Sequence, residues 1–259
     1  MGSVSKKSSY TSTMTMKSVS RLLALFLIMC LPLYMKATKS GLVDTRNAPL
    51  IDKNAALIDR TSLTERIYNE MGLASLGLPR MAFSMAMKGF SRLRAKGLIG
   101  TDSILTIIDF SKSSKKKRLY VIDLKNEDMV FNTVVAHGKK SGSEYARSFS
   151  NKPASNKSSL GFYITRGTYS GGNGYSLKLY GAERGFNDKA LARAIVMHGA
   201  DYANEEVIGK KGILGRSYGC PAVPQKFTRE IIDTIKEGNC LFVYYPDPNY
   251  LKKSKLLNS

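Results

Sequence analysis

The stretch Met197–Cys220 reads MHGADYANEEVIGKKGILGRSYGC. It holds one of the two histidines, His198, and one of the three cysteines, Cys220. His198 closes an apolar run, AIVMHG, with the composition of a buried strand. Cys220 ends a turn-like segment, GRSYGCP, and loops held on a rigid scaffold are where reactive side chains concentrate. A thiolate is the strongest nucleophile among side chains, and a neighbouring imidazole can take its proton. A tight glycine-containing turn can offer backbone N–H groups, here those of Tyr218, Gly219 and Cys220, to a developing oxyanion. Gly219 lacks a Cβ and so allows close approach. A backbone carbonyl can hold one ring nitrogen of the histidine and leave the other for the thiol.

Outward from this stretch, the periodicity describes a β scaffold. SILTIIDF, RLYVIDL and DMVFNTVVAHG are β-branched runs from Ser103 onward, and GFYITRGTY and GYSLKLYG read as two strands around a Gly-rich turn. CLFVYYP closes the domain as a further strand. The tract KSSKKKR, Lys112 to Arg118, reads as a solvated hairpin tip, and Lys139 to Ser159 as a long functional loop. NDKALARA reads as a short helix capped by Asn187, and PQKFTREIIDTIKEG as a helix ending before Gly238. Upstream, Ser62-Leu63-Thr64-Glu65 has the capping-box pattern, followed by apolar residues at helical spacing and the break at Gly77 and Pro79. A second helix carries Met81, Met85, Phe90 and Leu93, which makes a helical hairpin that packs without chemistry of its own. LKKSKLLNS reads as a frayed basic tail.

The composition sets the neighbourhood. Lys and Arg number 40 against 20 Asp and Glu, which favours an anionic surrounding or a solvated basic surface. There is no zinc finger, RNP-like strand or basic recognition helix, so nucleic acid is not an expected partner. Basic residues from Lys17 to Arg21 precede LLALFLIMCLPLYM, too short for a comfortable span and of the right length for a signal-peptide core. The expected leader is residues 1–37, either cleaved or retained as an anchor, with Met14 or Met16 as alternative starts and Cys30 in a poor lipobox. The chain is therefore expected to be exported to the periplasm or cell envelope, touching the membrane only through that leader. With Cys30 in the leader, Cys220 and Cys240 remain, and a secreted pair can also be a disulfide. Cys240 sits in an apolar run as a buried thiol.

The His198-Gly199 step, the Ser217-Tyr218-Gly219-Cys220 elbow and the wider HGADY and GRSYGCPAVP segments resemble the murein L,D-transpeptidase catalytic domain, the YkuD-like family. The resemblance implies a mainly β, sandwich- or barrel-like catalytic fold with a few helices over 101–246. A spacer and hairpin at 38–100 would precede it, and a basic tail at 247–259 would follow. It implies Cys220 as nucleophile, His198 as base and the Gly199 carbonyl as orienter. The implied substrate is a peptidoglycan stem peptide, attacked at the L,D bond before a terminal D-alanine. The acyl group would pass to an amine or to water, with no metal or organic cofactor and a monomeric chain. Two positions depart from the family pattern: Tyr218 stands where a histidine is usual, and Ala222 where a polar residue is usual. Ser217, Arg216, His137 and Tyr202 are the candidate substrate-binding residues, His137 because, like His198, it ends a strand before a glycine. Two other readings remain open: a non-catalytic wall-binding module, and a zinc site built from His137, His198 and Cys220. In papain-like and NlpC-like chains the cysteine precedes the histidine, the reverse of the order here.

Overall fold

Three runs of β-branched and aromatic side chains open the sheet: β1 (Ile104–Asp109), β2 (Leu119–Asp123) and β3 (Asp128–Thr133), paired antiparallel in sequence with a bulge between Val121 and Ile122. The computed structural model describes residues 53–100 and 103–258, with side chains from residue 60. The expected leader and the spacer up to residue 52 lie outside the described residues. β4 (Gly161–Gly171) and β5 (Gly174–Gly181) form the hairpin around the glycine turn, followed by β6 (Val196–Ala200), β7 (Ala222–Pro224) and β8 (Cys240–Tyr244). β8 inserts between β1, with which it runs parallel, and β4, giving the order β3-β2-β1-β8-β4-β5-β6-β7. β7, three residues ending in proline, is too short to carry a period and is invisible as a run.

The two edges of this sheet meet. Past β3 the chain crosses to β7, where Ala136 bridges Ala222 antiparallel and Gly138 bridges Ser217 parallel. The Ala136 N–H donates to the Ala222 carbonyl at 2.8 Å. The eight strands thus close almost into a barrel, and few edge N–H and C=O groups stay open. The mainly β, barrel-like fold is the one the sequence implies. Ala222 lies in the seam, fully buried beside Val134, Ala136, Ala200 and Leu214.

The hairpin belongs to the same core. α1 (Lys53–Glu70) begins well before Ser62, so the capping box lies inside the helix, and Thr64 Oγ1 instead donates back to the Arg60 carbonyl at 2.9 Å. α2 (Arg80–Ala95) buries Phe83, Ala86, Phe90 and Leu93 in one cluster with β1, β4 and β8. At Gly89 a Cβ would collide with the Phe162 ring, so the glycine lets the helix lie directly on β4. Phe162 stacks in turn on Phe242, with centroids 4.1 Å apart. All described residues fall in one compact unit, Ile51–Ser259. Among the described residues no helix is long and apolar enough to cross a membrane.

Two expected elements differ. Residues 187–194 form successive turns rather than a helix, and Ala194 adopts φ 50°. Asn187 caps nothing: its side chain accepts from the Glu183 N–H and donates to the Phe162 carbonyl, each at 2.9 Å, and thereby ties this segment to β4. The tail is not frayed either. Asp247 caps α5 (Pro248–Lys253), which leads into α6 (Lys255–Asn258). Tyr250, Leu256 and Leu257 are buried, and Arg92 Nη1 donates to the Leu256 carbonyl at 2.7 Å. The buried Glu183 carboxylate anchors the tail by accepting from the hydroxyls of Tyr250 and Ser254 and from the Phe162 N–H. The apolar spacing of Tyr250, Leu256 and Leu257 outweighs the three lysines around them.

Candidate active site

His198 is the central residue of β6, paired with Ser176 of β5 on one side and Ala222 of β7 on the other. Its backbone N–H donates to the Pro221 carbonyl at 3.4 Å, one peptide beyond Cys220. The elbow is thus held against the histidine strand by the sheet itself. His198 is nearly buried, and its Nδ1 lies 2.8 Å from the Gly199 carbonyl. A carbonyl only accepts, so Nδ1 carries the hydrogen and Nε2 keeps its lone pair in the neutral ring. Gly199 has no room for a side chain, because a Cβ would collide with Thr228 Oγ1 and Gln225 Oε1.

Cys220 is half-buried and Cys240 is buried in β8; both are free thiols. Burial pushes the Cys220 thiol up, while the Val196 N–H and the Arg193 charge pull it back. Its Sγ lies 3.7 Å from the Ala194 carbonyl, and among the described residues no hydrogen bond joins it to the His198 ring. The resting thiol is therefore protonated and parked on Ala194.

The elbow differs in detail from the expected set of three donors. Ser217 Oγ accepts from the Gly219 N–H at 3.0 Å and donates to the Cys220 carbonyl at 2.5 Å. Gly219 N–H is thus spent inside the turn and cannot serve an oxyanion. The N–H groups of Tyr218 and Cys220 have no acceptor among the described residues. Ser217 is itself buried, its N–H donating to the His137 carbonyl and its own carbonyl accepting from Lys139, so it braces the turn and does not face a ligand. Gly219 has φ 134°, a region that favours glycine, and lies against the Lys157 carbonyl.

The remaining candidates separate into inner and outer groups. Tyr218 is 70% exposed with Lys139 Nζ 3.9 Å from its ring centroid. Arg216 is exposed and donates to the Gly142 carbonyl at 3.2 Å. Tyr202 is half-buried, its phenol pushed up to about 12 by burial and by the nearby Cys220 charge. His137 has no exposed surface, and its ring is already engaged on both sides. Arg118 Nη2 donates to Nδ1 at 2.8 Å, and Nε2 faces the Gly142 carbonyl at 3.3 Å. Neither nitrogen is left for substrate or zinc, and burial with the Arg118 charge pushes the ring down to about 4. Among the described residues no group of three His, Cys, Asp or Glu side chains is placed to hold a metal ion.

Two arginines near the site carry no sequence signal. Arg118 ends the basic tract read as solvated, where only Lys115, Lys116 and Lys117 are exposed. It is fully buried, donates to the carbonyls of Val135 and Lys112, and stacks on Phe110 at 4.9 Å; burial brings its guanidinium down to about 9. It directly precedes β2. Arg193 lies in the polar turns before β6 and binds the carbonyls of Ser150 and Lys157 in the loop that borders Gly219.

The family model of the L,D-transpeptidase catalytic domain matches residues 75–244, which covers α2, all eight strands, His198 and Cys220. No curated protein sequence matches the chain. Among solved structures, an L,D-transpeptidase from Mycobacterium smegmatis is 12% identical over 56% of this chain and 59% of that one, with a TM-score of 0.34. An L,D-transpeptidase from Stackebrandtia nassauensis is 12% identical over 71% and 77%, with a TM-score of 0.34. The helical cell shape determining protein Pgp2 from Campylobacter jejuni is 13% identical over 66% and 58%, with a TM-score of 0.39. The chain spans 59% of the length of the first of these. The family match extends over more than half of the sequence, and by it the chain belongs to the L,D-transpeptidase catalytic domain family.

Proposed function

We propose that this protein is an exported peptidoglycan L,D-transpeptidase in which Cys220 is the nucleophile. The observation that carries the reading is the 2.8 Å contact from His198 Nδ1 to the Gly199 carbonyl, which leaves the Nε2 lone pair for the thiol of the adjoining elbow. In the reaction Cys220 leaves the Ala194 carbonyl and gives its proton to Nε2 as it attacks the carbonyl of the stem peptide's third residue. The oxyanion is held by the free N–H groups of Tyr218 and Cys220. Collapse expels D-alanine, which takes the proton from the imidazolium and leaves a thioester on Cys220. An amine from a second stem, or water, then attacks the thioester with His198 as base and restores the thiol. The Gly199 carbonyl fixes the ring throughout and stabilises its charged form.

Tyr218, Arg216 and Tyr202 are the residues this reading gives to the substrate, Arg216 for a stem carboxylate. The chain works as a monomer with peptidoglycan as its partner, and its basic balance suits an anionic wall. The test is a muropeptide digest of cells carrying Cys220→Ala. Loss of 3–3 cross-links or of D-alanine trimming supports the reading, and an unchanged profile refutes it.

A further inference from the structure

The long loop from Lys139 to Ser159 has no regular structure, yet it packs against the elbow of the nucleophile, with the Lys157 carbonyl beside Gly219 and Ser158 Oγ donating to the Gly219 carbonyl. One side chain holds it there. Arg193 Nη1 donates to the Ser150 carbonyl at 2.7 Å and to Ser159 Oγ. Its Nη2 donates to the Lys157 carbonyl at 2.6 Å and to Ser155 Oγ at 3.2 Å. The same guanidinium borders the elbow: a Cβ on Gly219 would lie 3.4 Å from Nη2 and 3.0 Å from the Lys157 carbonyl. Ala194, whose carbonyl lies 3.7 Å from the Cys220 sulfur, is the next residue in the chain. We propose that Arg193 is a positioning residue of the proposed acyl transfer, stapling the 150–159 loop against the Cys220 elbow and so fixing the place of the nucleophile. The proposal rests on the transpeptidase reading for its consequence, though not for its geometry.

The planar fork suits this task. Four acceptors on four residues of one loop converge on two nitrogens, which an ammonium on a flexible stem cannot match. The guanidinium also acts on the thiol, because its charge favours the thiolate while burial opposes it. The other titratable groups around Cys220 are Tyr163 from β4, Tyr202 after β6 and His198 in β6; the two phenols are raised by burial and feel the thiolate charge, so neither supplies a cation. Arg193 is thus both the staple and a fixed positive charge beside the sulfur. A second clamp below it, Ser158 Oγ accepting from the Gly138 N–H and donating to the Gly219 carbonyl, anchors the loop end and leaves the upper part to Arg193.

The experiment uses the full chain and follows iodoacetamide alkylation of Cys220 against pH by peptide-resolved mass spectrometry, beside the acylation rate with a carbapenem. For Arg193→Met the alkylation midpoint should rise by about one pH unit, as expected for loss of a nearby opposite charge. The acylation rate should fall about tenfold or more as the loop and elbow loosen. Arg193→Lys should restore the midpoint and not the acylation rate, which separates charge from stapling. If Arg193→Met does not fold, the pair Ser155→Ala and Ser159→Ala removes two acceptors while keeping the charge, and should slow acylation at an unchanged midpoint. Wild-type midpoints and rates in these variants overturn the proposal. Absence of any carbapenem adduct on the wild-type chain would instead refute the transpeptidase reading, and the alkylation midpoint would still decide the role of Arg193.

Discussion

Acidification should destabilise this protein through His137, and replacing that residue should remove the effect. In the folded chain the ring is pushed down to about 4, first by burial and then by the Arg118 charge that donates to its Nδ1. In the unfolded chain it titrates near the ordinary value of 6.5. Above that value both states hold a neutral ring and its contribution is fully present. Between 6.5 and about 4 the unfolded chain binds the proton and the folded chain does not, so stability falls across this window. The gap of roughly 2.5 pH units corresponds to about 3 kcal/mol, a sizeable share of a typical domain's stability. Urea titrations at a series of pH values from about 7.5 to about 4, on wild type and His137→Gln, measure it. The variant starts less stable because Arg118 and Gly142 lose a matched partner, but its stability should fall by about 3 kcal/mol less over the window. Every other side chain is common to both proteins, so its contribution cancels in the comparison. Parallel curves for the two proteins would refute the burial and charge argument.

Gly199→Ala should cost roughly 1–3 kcal/mol, because the methyl group must displace Thr228 and Gln225. It should also lower the transfer rate by moving the carbonyl that holds His198, with Thr228→Ala in the same chain recovering part of both; a wild-type melting curve and rate would contradict the packing. Leu257→Ala should destabilise the fold by about 2–3 kcal/mol in chemical denaturation with little change in activity, since its side chain is buried far along the chain from the elbow; a frayed tail would show no loss. Ser217→Ala frees the Gly219 N–H and unties the Cys220 carbonyl, so the rate of carbapenem acylation should fall about tenfold or more while the fold persists; an unchanged rate would remove Ser217 from the elbow's support.

The parts legible in the sequence are those whose signal is local. The β-branched runs from Ile104 to Thr133 and the hairpin from Gly161 to Gly181 announce their strands through composition alone. His198-Gly199 and the Cys220 elbow are legible because rare residues sit beside glycines in a recurring pattern. What was not legible depends on partners distant in sequence. Arg118 looks like the last cation of a solvated tract and is buried only because Val135, Lys112 and Phe110 surround it. Arg193 sits in a segment with helical composition that the fold bends into turns, so that its guanidinium reaches a loop more than thirty residues earlier. The basic tail reads as disordered by charge, and is ordered by Tyr250, Leu256 and Leu257 closing over α2 and Glu183. The Gly219 N–H looked free because its acceptor is a serine hydroxyl two residues away, a contact that depends on the turn's shape and not on its residue types.

The central claim is that Cys220 carries the acyl group. It is tested most directly by incubating the full chain with a carbapenem, measuring intact mass, and locating the adduct by peptide mapping. One adduct on Cys220, lost in Cys220→Ala and in His198→Ala and retained in Cys240→Ala, is the expected result. An adduct that survives Cys220→Ala, or none on the wild-type protein, would contradict it.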